Sequence, residues 1–169
     1  MIVVLTGVSG VGKTTIGERL AAALGWEFLD ADAFHSPENV RKMHAGIPLG
    51  DADRVPWLAR LNAVLRERAA AGRDVVLACS ALRRRYREVL TAGVPDVRVV
   101  LLRADRATLA ARLAARPGHY MPPSLLESQL ATLEEPAADE HVVAVDAGSE
   151  PGAVVDAIRA KLGRAKPDR

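Results

Sequence analysis

Five short apolar runs alternate along the chain with segments whose apolar residues recur at helical spacing. Continuous or alternating apolar residues favour a strand, whereas an i, i+3, i+4 pattern favours a helix. The predicted strands are residues 2–5, 27–29, 75–78, 97–102 and 142–145, and the predicted helices are residues 14–24, 55–71, 82–91, 106–115 and 152–162. This alternation predicts an α/β fold in which a five-stranded parallel sheet is flanked by helices.

Two intervals interrupt the alternation. Residues 33–54 contain two prolines, two glycines and many polar side chains, and residues 116–136 contain four prolines and one glycine. Insertions of this kind hold substrate contacts and lids in α/β proteins. We therefore expect a single domain over residues 1–169, with a substrate-binding insertion at 33–54 and a lid at 116–136.

The segment directly after the first predicted strand, GVSGVGKT, fits the phosphate-binding pattern GxxxxGK[ST]. Its glycines allow backbone N–H groups to turn toward phosphate oxygens, its lysine reaches the β- and γ-phosphates, and its threonine hydroxyl is a ligand for Mg²⁺. A strand before the loop and a helix after it are the order that a P-loop NTPase fold requires. The residues expected to bind the nucleotide are Gly7, Val8, Ser9, Gly10, Val11, Gly12, Lys13, Thr14 and Thr15.

Composition and charge narrow the class of protein. The chain has 169 residues, 49% of them hydrophobic, which is enough for a packed core. Its net charge is +2 and 4% of its residues are aromatic, so it lacks the basic stripe and stacking rings that nucleic-acid binders use. The lone Cys79 excludes an internal disulfide, and no apolar run is long enough to span a bilayer. We therefore expect a cytoplasmic protein that binds small molecules, with neither nucleic acid nor membrane as a partner.

Two carboxylates, Asp30 and Asp32, follow the second predicted strand. Ligands of open α/β sheets bind at the carboxyl ends of the strands. Beside a Mg²⁺-nucleotide, one carboxylate can hold the metal through water while the other orients an attacking hydroxyl; the alternative is a turn capped by aspartates. His35 follows in a polar loop, where a contact to a sugar is the most that we expect of it.

The third predicted strand ends at Cys79 and Ser80 without an acidic residue. Many P-loop proteins have a carboxylate there that holds Mg²⁺ through water. Ser80 or the earlier Asp30 is therefore expected to take part in metal hydration. Cys79 lies in an apolar run and is expected to be buried and inert.

Two groups of arginines are candidates for binding anions. The run RRRYR at residues 83–87 lies at the end of the third strand, where it is either a solvated helix face or a contact for an anionic substrate. Arg112 and Arg116 lie four residues apart, on one face of the predicted helix that leads into the second interval. This position suits an arginine that moves onto a transferring phosphate, and surface ion pairing is the alternative.

Over nearly its whole length the sequence resembles the gluconokinases, small P-loop kinases related in fold to shikimate kinase and the nucleoside monophosphate kinases. The loop alone indicates only a P-loop protein, whereas the segments after the second predicted strand and after the fourth predicted helix are specific to gluconokinases. The matching segments are GVSGVGKTT at residues 7–15, DADAFHSPENVRKMHAGIPLGDADRVPWL at 30–58, CSALRRRYRE at 79–88 and GHYMPPSLLESQLATLEEP at 118–136. Two residues depart from the family pattern: Val11 stands where serine is common, and Arg83 where lysine is common.

The resemblance implies ATP-dependent transfer of the γ-phosphoryl group to the 6-hydroxyl of D-gluconate, by a homodimeric enzyme, with 6-phosphogluconate and ADP as products. Taken with the residues above, it favours Lys13, Asp32 and Arg116 as catalytic residues, and Asp32 accepts the proton of the hydroxyl. Arg112 joins the ATP-binding residues, and Thr14 and Asp30 are assigned to Mg²⁺. The residues expected to bind gluconate are Asp32, His35, Lys42, Arg54, Ser80, Arg84 and Gln129, with Asn39 and Arg41 as further polar candidates.

Two other functions compete with this interpretation. A shikimate or nucleotide kinase shares the strand, the loop and the DxD arrangement, but residues 33–58 argue against it. A regulatory GTP switch, or a nucleotide-binding interaction module that hardly turns over, is the alternative outside the small-molecule kinases. The sequence contains neither an NKxD nor a DxxG motif, which argues against a guanine switch.

Overall fold

The computed structural model of the chain describes residues 1–115 and 123–163. Its strands are β1 (Ile2–Thr6), β2 (Glu27–Asp30), β3 (Val75–Ala78), β4 (Val97–Arg103) and β5 (Val143–Asp146). Its helices are α1 (Lys13–Leu24), α2 (Pro37–His44), α3 (Asp51–Ala70), α4 (Arg84–Thr91), α5 (Arg106–Ala114), α6 (Pro123–Thr132) and α7 (Pro151–Lys161), with short 3₁₀ turns at Ala31–Phe34 and Ala138–Glu140.

The five described strands form one parallel sheet in the order β2-β3-β1-β4-β5. The predicted α/β fold with a five-stranded parallel sheet is therefore confirmed. In the central strand β1, Val4 is in register with Leu77 of β3 and with Val99 of β4. All parallel strands end at the same edge of the sheet, so β1 delivers the glycine loop beside the ends of β2 and β3.

Helices cover both faces of the sheet, which explains why the central strands β1 and β3 read as continuous apolar runs. Val3 and Leu5 of β1 belong to a core cluster that includes residues of α1, α5 and α7. Ile2 and Val4 point the other way, into a cluster with residues of α3 and α4. Because successive side chains of a strand alternate between faces, β1 supplies both halves of the core.

Two helices inside the irregular intervals were not predicted. In α2, the Ser36 hydroxyl accepts a hydrogen bond from the Asn39 N–H (3.1 Å), and Pro37 is the first helical residue. A serine cap followed by proline is a helix-start signal that the sequence carried. Helix α6 likewise begins at a proline, Pro123, inside the interval assigned to a lid.

For the helix predicted over residues 55–71, the start at Val55 was wrong, because the corresponding helix α3 begins four residues earlier, at Asp51. Pro56 lies inside the helix. The first turn is held by Asp53, whose carboxylate accepts from the Gly50 N–H (3.0 Å) while the Gly50 carbonyl accepts from the Asp53 N–H (3.2 Å). These reciprocal hydrogen bonds between Gly50 and Asp53 stabilise the first turn of α3.

A buried ion pair joins α4 to the 3₁₀ turn before β5. The Arg87 guanidinium donates to both carboxylate oxygens of Glu140, at 2.7 and 3.0 Å, and the two side chains are 4% and 8% exposed. Arg87 also donates to the Leu82 carbonyl at 3.1 Å. This residue of the RRRYR run is therefore neither a solvated face nor a contact for a substrate.

Among residues 1–115 and 123–163, no helix is both long enough and apolar enough to cross a membrane.

We predict that Arg87→Ala lowers the free energy of unfolding by about 3 kcal/mol, because it leaves the buried Glu140 carboxylate without its cationic partner. Urea denaturation at pH 7 measures the loss. Arg98, an arginine half exposed on β4, is the matched control, and Arg98→Ala should cost less than about 0.5 kcal/mol. Equal losses in the two variants would contradict a structural role for the buried pair.

The same pair makes stability depend on pH. Hydrogen bonds from Arg87 lower the pKa of Glu140. A carboxyl group with a lowered pKa in the folded state contributes stability above its unfolded pKa of about 4.3 and loses that contribution below it. The stability difference between the native protein and Glu140→Gln should therefore shrink as the pH falls below this value.

Candidate active site

The glycine loop between β1 and α1 is shaped to place backbone close to a ligand. Gly7 has φ +143° and Gly10 has φ +83°, a region that favours glycine. A Cβ on Gly7 would lie 2.7 Å from the Leu102 carbonyl oxygen, and one on Gly10 would lie 2.9 Å from the Leu113 side chain. Both positions therefore require glycine for conformation and for space.

Helix α1 begins at Lys13, directly after the loop. The first N–H groups of a helix have no partner within it, and they form a binding site for anions. The Lys13 ammonium donates to the carbonyls of Gly7 (2.8 Å) and Val8 (3.0 Å), and so lies across the mouth of the loop. The arrangement is a cationic cradle for phosphate.

The carboxylate of Asp30 connects this cradle to the end of β2. Asp30 Oδ2 accepts from the Thr14 hydroxyl (3.0 Å), and Asp30 Oδ1 accepts from the Asp32 N–H (3.0 Å). The side chain of Asp32 is 82% exposed. Asp30 thus holds the turn, and Asp32 is left open to a ligand beside the phosphate loop.

His35 is packed beside Asp32 rather than exposed in a loop. Its ring stacks on Trp57, with centroids 4.1 Å apart, and its side chain is 3% exposed. The Trp57 N–H donates to the Ala31 carbonyl (2.9 Å), which ties α3 to the same turn. Burial lowers the pKa of His35, an effect that nearby Asp32 opposes. The imidazole Nε2 lies 3.9 Å from Asp32 Oδ1.

Lys42 of α2 is neutralised by Asp53 of α3. The ammonium donates to Asp53 Oδ1 at 2.6 Å and lies 3.9 Å from Glu38. The hydrogen bond with Asp53 raises the pKa of Lys42 and lowers that of Asp53. Lys42 therefore fixes α2 against α3, and its charge is already paired.

Three arginines surround the buried ring of Tyr86. The guanidinium carbon lies 5.2 Å from the ring centroid in Arg85 and 5.9 Å from it in Arg54 and Arg83. Arg85 and the Tyr86 hydroxyl both donate to Asp51. Arg54 donates to the Leu49 carbonyl (3.1 Å). Within the described part of the chain, neither Arg54 nor Arg83 pairs with a carboxylate, which leaves two guanidinium charges for an anion.

Arg84 was expected to bind substrate, but the structure places it in a surface ion-pair network. It donates to Asp139 and to Glu88, at 2.8 Å in each case. Its backbone N–H donates to Glu134 (2.8 Å). These contacts tie α4 to residues 134–139, and they draw the guanidinium away from the Tyr86 ring that its neighbours surround.

Helix α6 reaches the glycine loop through Gln129, whose Oε1 accepts from the Ser9 N–H at 2.7 Å. Gln129 was expected to contact substrate, and the structure shows it on the phosphate loop.

Ser80, which was also expected to contact substrate, follows β3, and its carbonyl accepts a hydrogen bond from the Thr6 hydroxyl. Cys79 is buried, and burial raises the pKa of its thiol to about 12, which agrees with an inert residue.

Arg112 of α5 joins the glycine loop to the segment after β5. Its guanidinium donates to the carbonyls of Val11 (3.3 Å) and Ala147 (2.8 Å). Next to it is an open cleft of about 510 Å³. The cleft is lined by Val11, Gly12, Thr15, Ile16, Arg112, Ala147, Gly148, Ser149, Glu150 and Pro151. Arg112 therefore shapes a space next to the phosphate cradle.

Arg116 and the first part of the interval assigned to a lid lie outside the described residues.

Known proteins resemble this chain over most of its length. A family model described as an AAA domain matches residues 2–136. The gluconokinase of Gluconobacter oxydans strain 621H is 50% identical over 153 residues, which cover 90% of this chain and 86% of that protein.

Solved structures also resemble this chain over most of its length. A sugar kinase from Janibacter sp. HTCC2649, in an unliganded structure, has a TM-score of 0.90 and 45% identity over 98% of this chain and 95% of that one. A gluconokinase from Sinorhizobium meliloti 1021 has a TM-score of 0.84 and 45% identity over 97% and 92% of the two chains. A shikimate kinase from Bacteroides thetaiotaomicron, at 18% identity and a TM-score of 0.68, shares the fold.

The parallel sheet, the glycine loop at the end of its central strand and the acidic turn beside it define a P-loop kinase. Within that class, the chain belongs to the gluconokinase family. The resemblance found in the sequence is confirmed.

We predict that Arg112→Met weakens ATP binding roughly tenfold, because the loop that follows β5 loses the hydrogen bonds that hold it against Val11. Isothermal titration calorimetry with ATP measures the dissociation constant. Arg19→Met, at an exposed position of α1, is the control and should leave it unchanged. An unchanged constant in the Arg112 variant would remove Arg112 from the nucleotide site.

Proposed function

We propose that the protein catalyses ATP-dependent phosphorylation of D-gluconate at the 6-hydroxyl, with 6-phosphogluconate and ADP as products. The observation that carries the proposal is the contact of Thr14 with Asp30 and of Asp30 with Asp32. It places an open carboxylate next to the phosphate loop, where an acceptor hydroxyl has to lie. The gluconokinases among its relatives support the choice of acceptor.

The transfer step needs positioning and charge neutralisation more than covalent help. The hydroxyl oxygen forms a bond to the γ-phosphorus while the bond from that phosphorus to the bridging oxygen breaks, and ADP leaves. Asp32 accepts a hydrogen bond from the hydroxyl and takes its proton late in the step. Lys13 moves from the loop carbonyls to the phosphates and offsets their charge.

The oxygens of Thr14 and Asp30 suit Mg²⁺, which prefers oxygen ligands and keeps much of its shell as water and phosphate. Within the described residues there is no group of three or more His, Cys, Asp or Glu side chains arranged to hold a metal. A site with few protein ligands is the kind that a nucleotide-bound Mg²⁺ uses. Bound there, Mg²⁺ supplies charge neutralisation at the β- and γ-phosphates.

The carboxylate of gluconate requires a cationic partner, and the arginines beside Tyr86 fit better than Lys42. Lys42 already pairs with Asp53 at 2.6 Å, whereas Arg54 and Arg83 have no such partner in the described part of the chain. Arginine also presents a planar fork that matches a carboxylate. We therefore assign the carboxylate to Arg54 and Arg83, and Lys42 to the support of α2.

The remaining expectations are part of the same proposal. One kinase domain carries the site, and the interval 116–136 acts as a lid, which the contact of Gln129 with Ser9 supports from its described part. Arg116 would then reach the phosphates from this lid. A homodimer and a cytoplasmic location stay predictions.

We predict that the purified protein phosphorylates D-gluconate with Mg²⁺ and ATP far faster than shikimate, glucose, AMP or sorbitol, the last of which is a polyol without a carboxylate. A coupled assay for ADP measures the rates. Lys13→Ala should lower turnover by several orders of magnitude with the fold retained, which shows that the activity belongs to this protein. Equal rates with gluconate and shikimate would refute the proposed acceptor.

We predict that Asp32→Asn lowers turnover by roughly 10² to 10⁴, because asparagine keeps an oxygen but loses charge and basicity. Steady-state kinetics and ATP titration measure this, and ATP affinity should be unchanged. A capping role would predict little loss, since asparagine caps as well as aspartate.

Asp30→Asn is the matched comparison for Asp32→Asn. A defect in holding Mg²⁺ should be partly recovered at high Mg²⁺ concentration, whereas the Asp32→Asn defect should not. Full rescue of Asp32→Asn by Mg²⁺ would show that the proton acceptor is another residue.

A further inference from the structure

Asn39 of α2 is buried at 5% exposure, although its residue type and position suggested a contact to a sugar. Its side-chain amide nitrogen donates to the Asp53 carbonyl at 3.1 Å. The same nitrogen lies 3.4 Å from Nδ1 of His35. The amide is therefore used inside the protein, between the acidic turn and α3.

The Asp53 carbonyl settles which way the amide points. A carbonyl oxygen only accepts hydrogen bonds, so the atom of Asn39 that faces it has to be the NH₂ nitrogen. With the amide reversed, two acceptor oxygens would lie 3.1 Å apart. The NH₂ group therefore also faces His35 Nδ1.

This orientation selects the tautomer of His35. An NH₂ group is a donor, so Nδ1 faces it favourably only as an acceptor, and the ring proton then lies on Nε2. A proton on Nδ1 would oppose the amide hydrogens, which disfavours both the other neutral tautomer and the cation. The stacking on Trp57 holds the ring in this plane.

The Nε2 atom is the one that faces Asp32, at 3.9 Å from Oδ1. This spacing is too long for a direct hydrogen bond, but a hydroxyl oxygen can lie at about 2.8 Å from both atoms. Such a hydroxyl donates its proton to the carboxylate and accepts from Nε2–H, and one lone pair is left for attack on phosphorus. With the other tautomer, it would meet two acceptors with one proton.

We propose that Asn39 is a positioning residue that holds His35 as the Nε2–H tautomer, so that His35 and Asp32 together orient the reacting hydroxyl. The inference rests on the proposed function for the identity of that hydroxyl. The tautomer itself is a property of the free protein, and it is measured without substrate.

The first measurement is a long-range ¹H–¹⁵N spectrum of the native protein without ligands. Nε2 couples to both carbon-bound ring protons and Nδ1 to one, so the spectrum shows which nitrogen of His35 carries the proton. His35→Gln identifies the signals. We expect the proton on Nε2, and a proton on Nδ1 would overturn the proposal without any variant of Asn39.

The second measurement uses Asn39→Asp, which keeps the shape of the side chain but replaces the donor with an acceptor. We expect the His35 signals to shift to a form protonated on Nδ1. Loss of a partner that orients a site residue typically lowers activity 10- to 100-fold, and we expect kcat/KM for gluconate to fall by roughly that amount while KM for ATP is unchanged.

His44→Gln, at the exposed end of the same helix, is the matched control and should leave spectrum and kinetics unchanged. Circular dichroism checks the fold of each variant. Native kinetics for gluconate in Asn39→Asp, or unshifted His35 signals in that variant, would overturn the proposal. Absence of gluconate activity in the native protein would instead refute the proposed function and leave the tautomer result standing.

Discussion

The hydrogen bonds of the Asp30 carboxylate are the constraint on which the rest of the site depends. One oxygen accepts from Thr14, at the start of the helix that follows the phosphate loop, and the other accepts from the N–H of Asp32. β2 and β1 are not neighbours, because β3 lies between them in the sheet. A single side chain therefore connects the start of α1, next to the phosphate loop, to the turn after β2, and it fixes where Asp32 lies relative to that loop.

The arginines of the RRRYR run show how similar side chains acquire different roles through their surroundings. Arg87 is buried against Glu140, Arg84 pairs with Asp139 and Glu88, and Arg83 lies over the Tyr86 ring without a carboxylate in the described part of the chain. A guanidinium whose charge is already paired offers little to a new anion, since the existing pair has to be broken first. The position of a guanidinium and the partners it already has, rather than the density of positive charge, are the basis for proposing Arg54 and Arg83 as the partners of a carboxylate.

The sequence was sufficient for the fold and for the phosphate loop, because both depend on local patterns. The strands β1 and β3 are continuous apolar runs, and the loop is a contiguous motif in which Gly7 and Gly10 are required by conformation and space. The roles of Arg84 and Arg87 depend on partners more than fifty residues away, which no local pattern reveals. Helix α2 is a different case, because its start at Ser36 and Pro37 is encoded by a local pattern. Asn39 was expected as a polar candidate for the substrate, and its burial could not be predicted because it follows from the packing of α2 on α3, which is tertiary.

Two donors of the phosphate loop already have partners within the protein. Lys13 donates to the carbonyls of Gly7 and Val8, and the Ser9 N–H donates to Gln129. Phosphate binding at these groups therefore exchanges hydrogen bonds rather than adding them, and only the difference contributes to affinity. That difference favours phosphate, because bonds to a charged oxygen are roughly twice as strong as those to a neutral carbonyl or amide. A phosphate that took the Ser9 N–H would release Gln129, and the binding of a nucleotide would then be coupled to the position of α6 through a single N–H group.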